Sequence, residues 1–189
     1  MRSVHYSNEI LLYTNAIVKH ATLEDSLATQ DLLIRCFEVS GQYDKAIDHG
    51  LTALRQLGFD LPDTPTPSLM SQKIVDTEQL IRSHNTDQLM NEFNKVDSKT
   101  RDVLRLVDSI IHSAYLIGSP YFLLCGCEGV KYSLGHGFCD TSAPALAAFA
   151  YFKMLQQDFN GVHFYKDILV KMVKKTKLSM ISFASSMPF

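Results

Sequence analysis

The segment Cys125 to Cys139, CGCEGVKYSLGHGFC, gathers the side chains best suited to metal chemistry. Cys125, Cys127, His136 and Cys139 are soft ligands of the kind zinc prefers. Their spacing argues against it. Cys125 and Cys127 stand two apart on a predicted helix, roughly 200° around its axis, so they diverge. Paired zinc ligands are usually separated by about two to four residues. Buried thiols and a loop histidine are the better reading, and no metal or cofactor is expected. The same cysteines could serve as redox sensors, with less support. Within that segment, Gly135-His136-Gly137 could cradle a phosphate. Such loops lead into a helix, whereas this one follows a helix and reads as its cap.

Other groups carry weaker chemistry. A phosphotransfer bundle needs an exposed histidine on a helix, and His112, His20 and His49 are the candidates among seven histidines. Glu24 and Asp25 are adjacent acids, but sequence neighbours do not face each other on a helix. They suit the first turn, where negative charge complements the helix dipole. Lys171 to Lys177, KMVKKTK, could meet anionic lipid or RNA, but reads as a solvated helix end. No serine sits in a nucleophile elbow, and a stand-alone enzyme is not expected.

The chain has 189 residues, a formal net charge of -2, 46% hydrophobic and 20% charged residues. These values suit a globular chain with a sizeable core rather than a disordered one. A nucleic-acid partner would favour a basic excess that is missing. No run approaches the roughly 20 apolar residues a membrane span needs. No signal peptide is read in residues 1–21. Four unevenly spread cysteines do not form a disulfide framework, which points to a reducing, cytoplasmic setting.

Helical spacing of apolar residues runs through nearly the whole chain, and strand alternation is missing. The spacing predicts helices over about Ser7 to His20, Thr22 to Ser40 and Tyr43 to Leu57. Further helices follow from Pro67 to Ser83 and from Thr86 to Phe93. The remaining ones cover Arg101 to Ile117, Ser119 to Leu134, Ser142 to Leu155 and Val162 to Lys177. Thr22 with Asp25, Thr66-Pro67 and Ser119-Pro120 read as helix starts. Gly41, Gly58 and Gly118 read as stops, and Asn160-Gly161 as a break. The segment ALAAFAYFKML, Ala145 to Leu155, is apolar almost all round and belongs inside a stack. The predicted fold is all-α: a right-handed stack of antiparallel helical hairpins, about eight or nine helices in all. Its parts are an N-terminal helix (1–21), a hairpin (22–58) and a proline-rich connection (59–66). A continuing helical array (67–177) and a tail (178–189) complete it.

The hairpin resembles a tetratricopeptide repeat, so the array resembles a TPR-like α-solenoid. GQYDKA supplies Gly41, Tyr43 and Ala46 at the offsets that open the second helix of that repeat. Ala53 gives the next small residue, and Leu33 and Phe37 fall at large apolar positions of the first helix. Phe37, Gly41, Tyr43, Ala46 and Ala53 are the expected hairpin contact. Ile34 stands where a small residue is usual, and Gly50 where an aromatic is usual. Gly58 replaces a proline that comes late, at Pro62, and the period of about 34 residues does not continue downstream.

Over Thr22 to Val173 the chain also resembles the helical region of very large signalling ATPases. YDKAIDHGLTALRQLGFDLP and YFLLCGCEGVKYSLGHGFCDTSAPALAAFAYF carry the likeness. In that family a kinase-like domain and an AAA-type ATPase often precede the array, and a GAF domain with a histidine-kinase module often follows. This chain has no phosphate loop, kinase catalytic loop or histidine-kinase lid. The resemblance implies a fragment or stand-alone array that binds a partner protein or a neighbouring domain. A histidine phosphotransfer bundle is the alternative.

Overall fold

The computed structural model describes Ala16, residues 23–93 and residues 95–176. Among the described residues the protein is all-α, with eight α-helices, one 3₁₀ turn and no strand. The helices are α1 (Leu23–Val39), α2 (Tyr43–Gln56), α3 (Pro67–Ser83) and α4 (Thr86–Asn91). They continue as α5 (Ser98–Leu116), α6 (Tyr121–His136), α7 (Ala143–Leu155) and α8 (Phe159–Thr176). The 3₁₀ turn Asp140–Ser142 leads into α7. The expected helix over Ser7 to His20, the cap at Thr22 and the tail 178–189 lie outside the described residues.

Local chemistry sets most boundaries. Gly41 takes φ +69° between α1 and α2, a geometry that costs glycine little. Thr66 Oγ1 accepts a hydrogen bond from Leu69 N at 3.3 Å, with Pro67 at the first position of α3. Two expected boundaries are corrected. α5 starts at Ser98 rather than Arg101, because Asp97 Oδ1 accepts from Thr100 N at 2.7 Å. Asn160-Gly161 does not break the chain. Asp158 Oδ1 accepts from Gly161 N at 2.9 Å, and α8 begins at Phe159. α7 does start where expected, with Ser142 at its N-cap position, although the Ser142 hydroxyl accepts from Cys139 N and from Ser133 Oγ instead of from the helix.

α5 is the centre of the molecule, packed against α1, α2, α6 and α7. Successive helices α1–α2, α5–α6, α6–α7 and α7–α8 also pack together, while α3 lies on α6 and α4 on α8. One continuous core of Leu33, Ile34, Leu54, Leu106, Ile110, Leu124, Leu146 and Phe149 runs through these layers. Small residues set the close contacts. A Cβ at Gly50 would lie 2.4 Å from Ile110 Cγ1, so glycine lets α2 reach α5. At Gly129 it would lie 2.8 Å from Ala145 Cβ and 2.9 Å from Val107 Cγ1, between α7 and α5.

α3 is fastened by charge as well as by apolar contact. Lys73 is buried and donates to Glu128 Oε1 at 2.8 Å and to Asp60 Oδ2 at 2.6 Å. Burial alone would lower its pKa, but the hydrogen bonds to Asp60 and Glu128 outweigh that and hold it above the ordinary lysine value. Buried Lys153 of α7 pairs with Glu78 of α3 in the same manner.

Candidate functional site

The expected hairpin residues fall at the α1–α2 turn. Phe37, Ala46 and Ala53 are buried, Gly41 forms the turn, and Tyr43 opens α2 half-exposed. The Phe37 ring lies 6.2 Å from that of His49.

The cysteines of the Cys125–Cys139 segment are inside the protein. Cys125, Cys127 and Cys139 are buried, and Cys36 is half-buried. Burial raises the Cys125 thiol pKa and pushes Cys127 up to about 11, so neither is a reactive thiolate. His136 sits apart from them, stacked on Tyr132 at 4.0 Å beside a cavity of about 490 Å³. Gly135-His136-Gly137 is the end of α6, closed by Gly137 at φ +106°.

The histidines separate as well. His20 lies outside the described residues, as do the side chains of Glu24 and Asp25. His49 is half-buried against Gln30, and burial lowers its pKa. His112 is 61% exposed on α5, with Nδ1 3.1 Å from Glu38 Oε1. In the lysine-rich end of α8, Lys171 pairs with Asp87 at 2.8 Å and Lys175 donates to Met90 O at 2.5 Å. Two of those lysines therefore hold α4.

A different surface stands out. Asp31, Arg35 and Glu38 recur at i, i+4 and i+7 on α1, forming one stripe. Asp108, His112 and Tyr115 repeat that spacing on α5. Ser109 Oγ donates to Asp31 Oδ1 at 2.7 Å, and Ser113 Oγ donates to Glu38 Oε1 at 2.7 Å. These bonds lay the two stripes side by side. Ser113 is fully buried, so its hydroxyl fastens Glu38 and reaches no substrate. Arg35 pairs with Asp31 at 2.9 Å. Asp108 is partly buried and has no hydrogen-bond donor among the described residues; burial pushes its carboxyl up to about 6.

The stripe continues into an aromatic triangle. Tyr115 of α5, Phe122 of α6 and Tyr151 of α7 have ring centroids 5.5, 5.9 and 5.8 Å apart. Tyr115 is 54% exposed and Tyr151 36%. Ala147 and Leu155 flank Tyr151 at one helical turn on either side, and both are exposed. The expectation that α7 is enclosed is thus corrected: one apolar face of it meets solvent. The result is a strip across α1, α5 and α7, carboxylate-rich at one end and aromatic at the other. Such a strip can hold charge and apolar bulk in register.

The described residues define an all-α protein, and none of their helices is long and apolar enough to cross a membrane. No family model matches the chain, and neither a curated protein nor a solved structure does.

Proposed function

We propose that this chain is a non-catalytic helical-repeat interaction module, a tetratricopeptide-like α-solenoid that binds a partner protein or a neighbouring domain. In this reading α1–α2, α5–α6 and α7–α8 are three antiparallel hairpins in a right-handed stack. α3 and α4 form an insertion after the first hairpin. Support comes from the packing: α5 leans on both α1 and α2, and α7 on both α5 and α6. Leading helices α1, α5 and α7 then share one face. The sequence resemblance adds a setting, the cytoplasm, within a larger signalling ATPase or kinase.

The observation that carries the proposal is the strip across α1, α5 and α7, with Tyr115 and Tyr151 exposed in the middle of a well-packed protein. Large aromatics left at a surface are the usual anchors of protein interfaces. Histidine phosphotransfer draws less support. His112 is exposed, but Glu38 lies 3.1 Å from it and Asp108 is close enough to interact with it, and both repel a phosphoryl donor.

Placing the photocrosslinker p-benzoylphenylalanine at position 151 tests the module. We expect one discrete crosslinked protein in cells, and none with the same group at exposed position 76 on α3. An identical set of products from both positions would remove the basis for this reading.

A further inference from the structure

We infer that the strip accepts an extended cationic peptide. One arginine or lysine would sit among Asp31, Glu38 and Asp108, and a large apolar residue three positions away would rest on Tyr115 and Tyr151. The inference rests on the interaction-module reading and gives it a partner chemistry.

Charge selects the cation. Asp31, Asp108 and Glu38 line about 10 Å of the strip, and the guanidinium among them, Arg35, is already engaged by Asp31. Glu38 accepts from Ser113 and lies against His112, whereas Asp108 has no donor among the described residues. A guanidinium or ammonium arriving there gains an ionised acceptor that no described residue occupies. An acidic peptide, or the anionic surface of a membrane, would be repelled by the same groups.

Geometry selects the spacing. Asp108 and Tyr115 are seven residues apart on α5, about 10 Å along its axis at 1.5 Å per residue. An extended peptide covers that distance in about three residues, at roughly 3.3 Å each. Its two anchors therefore stand at positions i and i+3. A second copy of this chain meeting the strip face to face would set its carboxylates against carboxylates or, turned antiparallel, against aromatic rings, and neither arrangement supplies the cation.

Panning random linear peptides on phage against the full chain tests the inference. The expected binders pair arginine or lysine with leucine or an aromatic three residues later. Their affinity should fall as salt rises. Tyr115→Ala with Tyr151→Ala should weaken the best synthetic binder about tenfold or more, as should Asp108→Lys. Asp108→Asn preserves shape and should weaken it by about threefold, keeping the test informative if the larger changes disturb folding. Binders that are acidic or uncharged, or that ignore all these substitutions, would overturn the cationic inference while the module reading stands. Self-association in light scattering that Tyr151→Ala abolishes would name a second copy as the occupant and overturn it too. Recovery of no binder of any composition would count against both.

Discussion

Asp108 shows how one side chain can tie stability to recognition. Burial pushes its carboxyl up to about 6 from an ordinary 3.8, the repulsion of Asp31 and Glu38 adds to this, and His112 and Arg35 oppose it. A carboxyl with a raised folded pKa holds its proton more tightly in the folded chain. Stability is therefore lost as pH climbs from about 4 through about 6, and the penalty is complete above that window. Asp108→Asn removes the ionisable group. We expect it to stabilise the protein by about 2 kcal/mol at pH 7.5 and to make little difference at pH 4. Urea denaturation at the two pH values measures this, and an equal change at both would refute the assignment. This residue was not legible in the sequence. Its periodicity with His112 and Tyr115 was present, but Asp31 lies 77 positions earlier, and only the fold brings the two stripes together.

At the scale of the helix, small residues decide which pairs can approach. Gly129 is enclosed by Ala145 and Val107, whereas a Cβ at Gly135, six residues on in the same helix, would meet nothing within 4 Å. Helix propensity favours alanine at both positions by about 1 kcal/mol. Packing reverses the sign at one of them. Gly129→Ala should cost about 1–3 kcal/mol, and Gly135→Ala should gain about 0.5–1 kcal/mol. Thermal or urea unfolding of the two variants side by side is a direct check. Helix identity was readable because apolar spacing, Thr66-Pro67 and Gly41 are local signals. The starts at Asp97 and Asp158 were missed because each aspartate caps through a backbone bond three residues ahead, before the apolar stripe becomes visible. α7 was read as enclosed because its composition is apolar on every side. Composition alone does not reveal that Tyr151 and Leu155 are left exposed.

Across the whole molecule, α3 is joined to the rest by charges far apart in sequence. Lys73 and Glu128 are 55 positions apart, and both are buried. Removing one member of such a pair leaves the other without full compensation. Lys73→Met should destabilise the protein by about 3 kcal/mol, and adding Glu128→Leu should recover most of that loss. Denaturant midpoints for the two single variants and the double variant give the coupling. If the double variant is as weak as the sum of its parts, the pair does not act as a unit. This long-range tie was beyond the sequence reading, since nothing near Lys73 or Glu128 marks the other.

The strip draws its parts from helices spread over most of the described chain: Ser109 reaches an acceptor 78 positions earlier, and Tyr151 comes later still. During synthesis, α1 emerges long before α5 and α7, so the ribosome first releases a half-built face with carboxylates and no aromatic anchor. A chain clipped between α6 and α7 would keep Tyr115 but lack Tyr151, leaving the aromatic end unfinished. The surface is therefore complete only once α7 has joined it, and a partner requiring both ends of it would disregard copies that stop short of α7.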